Sequence, residues 1–228
     1  MPCLALSACG LAKAPETNLT ADQQVLKKEL ATNQQFLQEQ LDARKTAQTK
    51  PAPDPKPEPP EEKPASPKPI DMSDITTIGD SVMLGAAVEL QNAIPDLVID
   101  AKESRQVWDT LALLDELNQQ GLLGQTVIIA LGTNGSFSKE YAEDIISYLG
   151  KDRQIFWMNA HGDDLSWTKD VNATIDEIAK THDNVYLLDW NTESSPHPEW
   201  FYDDGLHLNG EGRQGYAQFV KNSLSANN

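Results

Sequence analysis

From residue 74 onward the sequence predicts an α/β domain, in which helices cover both faces of a five-stranded parallel sheet. Two observations support this fold class. Short apolar runs rich in β-branched residues alternate with longer segments of helical periodicity, and this alternation is typical of a parallel sheet covered on both faces. The preceding residues have a different composition. A glutamine- and leucine-rich stretch is followed by a proline-rich one, and we expect both to lie outside the sheet.

Five strands and five helices are predicted in this domain, which extends over residues 74–228. The apolar, β-branched run at 126–131 is the clearest strand, and a helical pattern at 139–149 follows it. The last predicted helix closes the domain. The predicted strands are 75–78, 97–100, 126–131, 154–158 and 185–188, and the predicted helices are 82–92, 106–120, 139–149, 168–180 and 212–222.

The segment 13–49 is predicted to be one amphipathic helix, with its helical pattern running from Ala21 to Gln48. Thr20 is suited to cap its N-terminus, because a threonine hydroxyl can accept a backbone N–H of the first turn. Leucines recur after it at helical spacing. Asn33 and Arg44 interrupt the heptads, so a coiled coil is the less favoured alternative. The leucines are Leu26, Leu30, Leu37 and Leu41.

Residues 50–73 are predicted to be a stiff linker. Nine prolines lie between positions 51 and 70, interleaved with charged residues, and they favour polyproline II over a helix or a sheet. At about 3.1 Å per residue such a segment reaches on the order of 60 Å. A ligand for an SH3-type domain is an alternative. Because the linker has almost no apolar residues, we expect residues 74–228 to keep their stability when residues 1–70 are deleted.

Residues 1–12 are apolar and rich in small residues, but they are too few to span a membrane. They are interpreted as a truncated transmembrane or signal segment, and a frayed terminus is the alternative. Cys9 follows Leu6–Ala8, which resembles a lipoprotein cleavage box, although no charged residue precedes it. The two cysteines of the chain are Cys3 and Cys9, so the α/β domain needs no disulfide.

The chain carries 35 acidic and 18 basic residues, a formal net charge of −17 at pH 7. Most of the excess lies in residues 74–228, which have 25 acidic and 9 basic side chains. Such a surface repels nucleic acids and anionic membranes, so no nucleic-acid partner is expected. The four histidines do not have zinc-binding spacing, and neither a metal nor a cofactor is expected.

Polar segments follow three of the predicted strands. The carboxyl ends of parallel strands lie at one edge of a sheet, where such folds bind ligands. Ser81 follows the first strand, Asn134 follows the third, and His207 lies between the fifth strand and the last helix, so only the fold can bring them together. The three segments are Gly79–Ser81, Gly132–Gly135 and Asp203–His207.

These residue types suit acyl transfer. Ser81 is a candidate nucleophile, His207 the base that removes its proton, and Asp204 the carboxylate that orients the imidazole from three residues away. The backbone N–H of Ser81 and the amide of Asn134 are candidate oxyanion donors. Each segment alone has a simpler explanation. Asp80 or Ser81 could cap a helix, the glycine-rich segment could be a turn, and Asp204 with His207 could be a surface pair.

Taken together, the three segments resemble the SGNH (GDSL-like) hydrolases, from the first predicted strand to the last helix. The resemblance implies a flavodoxin-like three-layer sandwich with Ser81, Asp204 and His207 as the catalytic triad. In that family a glycine after the second strand offers a further oxyanion donor, and this sequence has no glycine there. Its place is taken by Ser104 and the residue after it, which become the candidate donors.

The stretches IGDSVMLG, ESRQ, VIIALGTNG and DGLHLNGEG further resemble the extracellular domain of Gram-positive peptidoglycan O-acetyltransferases. In those proteins a membrane acyltransferase precedes a linker and this domain, so the resemblance implies a cell-surface, membrane-tethered enzyme. It implies acetyl transfer through acetyl-Ser81 to a hydroxyl of a cell-wall sugar, with a donor delivered by the membrane part. An esterase that uses water as acceptor and a non-catalytic wall-binding module are the alternatives.

Substrate contacts are predicted close to the triad. Asp80 and Arg105 adjoin the candidate catalytic and oxyanion residues in the sequence. Four aromatic rings are candidates for a platform under a sugar ring, although such rings often belong to a core instead. They are Trp190 and Trp200, which we select as substrate-binding residues, and Trp108 and Phe201.

Overall fold

The structure is a computed structural model that describes residues 19–48, 69–162 and 165–227. The predicted apolar segment at 1–12 lies outside these residues, as does most of the predicted proline-rich linker. Within the described ranges, no helix is both long enough and apolar enough to cross a membrane.

A five-stranded parallel sheet forms the centre of the domain, which confirms the predicted fold class. The strands are β1 (Ile75–Gly79), β2 (Val98–Ala101), β3 (Thr126–Ala130), β4 (Gln154–Met158) and β5 (Val185–Leu188). Their order across the sheet is β2-β1-β3-β4-β5, so the chain winds outwards in both directions from β1 and β3. This reversal leaves a crevice at the carboxyl ends of these two strands, where open α/β sheets place their ligands.

Helices cover both faces of the sheet. The helices are α1 (Ala21–Gln48), α2 (Ser81–Gly85), α3 (Ala87–Ala93), α4 (Thr110–Gln119), α5 (Lys139–Leu149), α6 (Thr168–Thr181), α7 (Trp190–Ser194) and α8 (Gly210–Ala226). Helices α1, α3 and α8 pack on one face, and α4, α5 and α6 pack on the other. The domain is therefore a three-layer sandwich, as the resemblance implied.

Each face of the sheet has its own hydrophobic core. Successive strand residues point to opposite faces, so β4 sends Ile155 and Trp157 into one core and Phe156 and Met158 into the other. All residues of β1 are buried, as expected for a central parallel strand covered on both sides. This rigid strand leads directly into the first segment of the candidate site.

Two predicted helices differ from the observed ones. The helix predicted at 82–92 is divided into α2 and α3, and the amide of Asn33 in α1 donates to the carbonyl oxygens of Leu84 and Gly85 at the division. The helix predicted at 106–120 begins with a 3-10 turn that precedes α4. Helix α7 was not predicted, because five residues are too few to show a helical period.

Helix α1 packs against the domain rather than extending away from it. Thr20 caps it as predicted, since its hydroxyl accepts the N–H of Gln23 at 3.2 Å. Leu30 and Leu37 are buried in the core that also contains α3 and α8. The composition of the linker predicts that residues 1–70 can be deleted without loss, but the deletion would also remove α1 and expose apolar surface that is now covered, so we expect it to lower stability.

Candidate active site

Three side chains from two remote parts of the chain form a hydrogen-bonded row at the carboxyl end of β1. The Nε2 atom of His207 lies 2.9 Å from the Oγ of Ser81, and its Nδ1 atom lies 2.8 Å from the Oδ2 of Asp204. An ionised carboxylate only accepts hydrogen bonds, so Nδ1 carries the proton and Nε2 accepts the hydroxyl of Ser81. The structure therefore brings together the three residues that the sequence selected.

Ser81 is presented by a tight strand-to-helix connection. It is the first residue of α2, and the carboxylate of Asp80 caps that helix by accepting the N–H of Val82 at 2.9 Å. A Cβ atom at Gly79 would lie 2.4 Å from the Cβ of Met83, so the connection needs glycine there. As a residue of the first turn, Ser81 has a backbone N–H without an acceptor inside the helix.

The loop that carries Asp204 and His207 is held largely by its own backbone. Phe201 and Leu208 form an antiparallel bridge, and the N–H of Tyr202 donates to the carbonyl of His207 at 2.8 Å. The Oδ1 atom of Asp204 accepts two N–H groups of the loop, at 3.0 and 2.9 Å. Burial opposes ionisation of Asp204, but the hydrogen bonds from His207 and the loop outweigh it, and the pKa lies below its ordinary value.

Asp80 is a second carboxylate beside the triad, and it is almost completely buried. Burial raises its pKa to about 6, although the Val82 N–H and the charges of His207 and Arg105 oppose this rise. The sequence predicts a substrate contact for Asp80. In the structure its side chain caps α2 and forms part of the wall of a pocket next to the triad.

Each of the three predicted segments contributes a residue to the wall of this small pocket. These residues are Val82, Thr133 and Leu206, which adjoin Ser81, Asn134 and His207 in the sequence. Its other side comes from the segment after β4, from Trp190 and from α8, and of these the sequence motifs point only to Trp190. A signal for the first of these was present, because polar residues follow β4 as they follow β1 and β3. The missed lining residues include Asn159, His161 and Tyr216.

The candidate oxyanion side of the site consists of Ser104 and Asn134. It lies where the loop after β2 meets the loop after β3. The side-chain amide of Asn134 donates to the carbonyl oxygen of Arg105 at 3.1 Å. Ser104 has a φ of 60°, and it is the one non-glycine residue with positive φ among those that the structure describes. That backbone conformation favours glycine, so Ser104 takes the conformation that the glycine of the SGNH pattern would permit at this place.

The sequence predicts a substrate contact for Arg105, but the structure gives this residue another role. Its guanidinium pairs with the carboxylate of Asp100 at 2.6 Å and donates to the carbonyl oxygens of Gly79 at 3.2 Å and Asp100 at 2.5 Å. The side chain is 9% exposed. Arg105 therefore ties the loop after β2 to the ends of β1 and β2, and its guanidinium is committed to these partners.

The predicted aromatic platform of Trp190 and Trp200 does not form an open surface, because Trp190 is buried and Trp200 is partly buried. Trp190 is 2% exposed, and its ring is covered by Trp200 at 5.9 Å between centroids and by the edge of Tyr216 at 4.9 Å. His197 stacks on Trp200 at 3.9 Å. Phe201 is also buried. Trp190 and Phe201 belong to the core, which is the alternative that the sequence left open, and Trp200 packs against that core.

Trp108 is the exposed ring at this edge of the sheet, with 58% of its surface accessible. Its backbone is fixed, because the hydroxyl of Tyr141 donates to its carbonyl oxygen at 2.8 Å. The ring lies 3.9 Å from the position that a Cβ atom on Gly135 would take, and Gly135 directly follows Asn134. An exposed aromatic surface thus adjoins the candidate oxyanion side.

The sheet topology and the hydrogen-bonded row of serine, histidine and aspartate are those of one class of protein. The chain has the architecture of the SGNH (GDSL-like) hydrolases. A GDSL-like lipase from Bacteroides thetaiotaomicron has the same fold, with a TM-score of 0.53 and 15% identity over 68% of this chain and 89% of that one. No family model matches the sequence.

Within that class the chain is similar to peptidoglycan O-acetyltransferases, as the sequence motifs predicted. It is 37% identical over 142 residues to the putative peptidoglycan O-acetyltransferase YrhL of Bacillus subtilis, a match that covers 62% of this chain and 22% of the relative. It is 32% identical over 161 residues to the peptidoglycan O-acetyltransferase OatA of Listeria monocytogenes, covering 71% and 25%. The chain thus spans about a fifth to a quarter of these curated relatives.

A solved structure of one such domain is also similar. It is the C-terminal catalytic domain of the peptidoglycan O-acetyltransferase OatA from Streptococcus pneumoniae, with a methylsulfonyl adduct. The TM-score is 0.62 and the identity 25%, over 68% of this chain and 93% of that domain. The shared part therefore corresponds to nearly all of a catalytic domain.

Proposed function

We propose that this protein is an extracellular O-acetyltransferase that moves an acetyl group through acetyl-Ser81 to a hydroxyl of a cell-wall sugar, a muramoyl residue of peptidoglycan. The continuous row from Ser81 through His207 to Asp204, with distances of 2.9 and 2.8 Å, carries the proposal. The relatives named peptidoglycan O-acetyltransferases support the choice of acetyl group and acceptor.

In the first half-reaction, Ser81 takes the acetyl group from a donor. The Nε2 atom of His207 removes the hydroxyl proton while the Oγ of Ser81 attacks the acetyl carbonyl carbon. Asp204 stabilises the resulting imidazolium through Nδ1. The tetrahedral intermediate then expels the donor's leaving group, which takes the proton from His207, and acetyl-Ser81 remains.

In the second half-reaction, the sugar hydroxyl takes the place of the donor. His207 removes the hydroxyl proton as the sugar oxygen attacks the carbonyl carbon of acetyl-Ser81. The ester bond to Ser81 breaks, and its Oγ regains a proton from His207. One acetyl group has moved from the donor to the sugar oxygen and one proton from the sugar hydroxyl to the donor's leaving group, so the cycle balances without any further reactant.

The negative charge of both tetrahedral intermediates needs hydrogen-bond donors. The candidates are the backbone N–H groups of Ser81 and Ser104 and the side-chain amide of Asn134, each of which would stabilise the transition state by about 3 kcal/mol. The bond from Asn134 to the Arg105 carbonyl fixes the orientation of this amide before an oxyanion forms. The positive φ of Ser104 supports its place in this set.

The acceptor and the donor would approach from outside the domain. Trp108 offers an exposed ring on which a sugar can stack beside Asn134. The acetyl donor would be supplied by a membrane acyltransferase. The predicted anchor at 1–12 would tether the domain at the cell surface. Because α1 packs on the domain, the predicted linker at 50–73 would not extend this reach.

Hydrolysis of p-nitrophenyl acetate, with and without a wall-type oligosaccharide, tests the proposal. A transferase acetylates the oligosaccharide, as mass spectrometry of the products would show, and Ser81→Ala abolishes this reaction. Hydrolysis without acceptor acetylation would instead identify an esterase, and no turnover at all would favour a wall-binding module.

Trp108→Ala separates acceptor binding from chemistry. We expect a higher KM for the oligosaccharide and unchanged hydrolysis of the small ester, because the ring contacts the sugar and lies outside the hydrogen-bonded row. An unchanged KM for the oligosaccharide would remove Trp108 from the proposed acceptor site.

A further inference from the structure

Helix α1 holds the short helix that presents the nucleophile. The side-chain amide of Asn33, which is 9% exposed, donates to the carbonyl oxygens of Leu84 at 3.0 Å and Gly85 at 2.8 Å. These two carbonyls end the one-turn helix α2, which begins at Ser81. The Cδ2 atom of Leu30 lies 3.9 Å from the position that a Cβ atom on Gly85 would take, so a larger residue at position 85 would contact α1.

One turn earlier, the same face of α1 holds the loop that carries the base. The Oε2 atom of Glu29 accepts the hydroxyl of Tyr202 at 2.8 Å and pairs with Arg213 at 2.6 Å. The backbone N–H of Tyr202 donates to the carbonyl of His207 at 2.8 Å. A short path of hydrogen bonds therefore connects Glu29 to the backbone of His207.

The contact between α1 and this loop extends beyond a single bond. Burial raises the pKa of the Tyr202 hydroxyl, and its bond to Glu29 adds to that rise. The first turns of α1 and the loop also line one groove, whose walls include Leu26, Tyr202 and Asp204. On the far side, Arg213 of α8 bonds Glu89 of α3 at 3.2 Å, so the network joins three helices.

We propose that α1 is a strut that positions Ser81 and His207 relative to each other, with Glu29 and Asn33 as positioning residues for acyl transfer. The inference rests on the proposed function of the triad. Residues four apart lie on one face of a helix, so the nucleophile helix and the base loop are held by one rigid body. A displacement of reacting groups by about 1 Å can lower a rate about 100-fold.

This positioning role for α1 differs from the role of a tether. A segment that serves only as a tether would affect reach, whereas α1 would affect the rate on any ester, including a small soluble one. This difference makes the proposal testable without a cell wall.

The test uses variants of the whole 228-residue chain, assayed with p-nitrophenyl acetate below the melting transition of each variant. Glu29→Ala and Asn33→Ala should lower kcat about tenfold, and Tyr202→Phe a few-fold, with KM within about twofold of the parent value. Glu29→Gln should recover part of the rate, because the amide oxygen can still accept the Tyr202 hydroxyl. Glu39→Ala, on the exposed face of α1, is the matched control and should leave kcat unchanged.

A double variant gives a second measurement. If Glu29 acts through Tyr202, the combination of Glu29→Ala with Tyr202→Phe should lower kcat no further than Glu29→Ala alone. Parent-like kcat in folded Glu29→Ala and Asn33→Ala, or an equal loss in Glu39→Ala, would overturn the strut. If Ser81→Ala is inactive while these variants are normal, only the strut fails; if Ser81→Ala is active, the proposed function fails first.

Discussion

The two sides of the candidate active site are organised differently. On the base side, Asp204 and His207 are three residues apart, and the bonds between them and within their loop are local. On the oxyanion side, the loop with Ser104 depends on Arg105, which reaches back to β1 and β2, and on a positive φ in a residue that is not glycine. The base side is thus a local motif, whereas the oxyanion side is a product of tertiary packing.

The first prediction tests the local motif of Asp204 and His207. Asp204→Asn should lower kcat by on the order of 10³–10⁴, because an amide that donates to Nδ1 favours the wrong imidazole tautomer. Asp203→Asn is the matched control, since Asp203 is exposed and the carboxylate that bonds Nδ1 belongs to its neighbour. Steady-state kinetics on a small ester measure kcat for both variants. An equal loss of kcat in the two would refute the assignment of Asp204 as the residue that orients His207.

The second prediction concerns the packing that supports the oxyanion side. Arg105→Ala should lower the free energy of unfolding by about 3 kcal/mol, because it leaves the carboxylate of Asp100 without its buried partner. Lys180→Ala is the control, since Lys180 pairs with Asp176 on an exposed face and should change stability by less than about 1 kcal/mol. Urea denaturation measures both. Similar values for the two variants would mean that Arg105 is not a tertiary anchor.

The third prediction concerns the buried carboxyl group of Asp80. Asp80 has a pKa raised from 3.8 to about 6, so the folded state holds its proton more tightly than the unfolded state. Its contribution to stability is therefore fully present at low pH and is lost as pH rises through about 6. Asp80→Asn keeps a capping oxygen and removes this titration.

Between about pH 4 and pH 7 the stability of Asp80→Asn relative to the parent should increase by on the order of 3 kcal/mol. Denaturation curves of both proteins at several pH values give this difference, and titrations that the two proteins share cancel. A difference that stays constant with pH would show that Asp80 has an ordinary pKa in the folded protein.

The fourth prediction concerns the positive φ of Ser104. Ser104→Gly should raise the free energy of unfolding by up to about 1 kcal/mol and preserve activity, because glycine adopts the positive φ without strain. Ser104→Val should lower both, since a β-branched side chain is disfavoured there. Thermal melts and kinetics of the pair provide the measurement. A stabilising valine would contradict the positive φ.

Much of the fold could be predicted because its signals are local. Strands β4 and β5 and helix α5 have the predicted limits, since each is a run of consecutive residues with one clear pattern. The spacing of Asp204 and His207 is equally local. The meeting of these residues with Ser81 followed from the rule that parallel strands end at one edge.

The remaining features depend on contacts between distant residues, which one sequence does not display. The sequence around Arg105 is that of an ordinary loop. It therefore does not indicate an ion pair, and only the fold shows that the partner of Arg105 is Asp100. Asn33 interrupts a leucine pattern and was interpreted as a defect in a coiled coil, whereas it bonds the carbonyls of α2. The rings of Trp190 and Trp200 have the composition of a sugar platform, but Trp200 stacks on Trp190, and Trp190 is buried.

In the proposed reaction, Ser81 carries the acetyl group. The most direct test is mass spectrometry of the protein after brief reaction with p-nitrophenyl acetate and acid quenching. We predict one added acetyl group on the peptide that contains Ser81, its loss when a sugar acceptor is present, and its absence in Ser81→Ala. An acetyl group on another residue, or none during active turnover, would contradict the account.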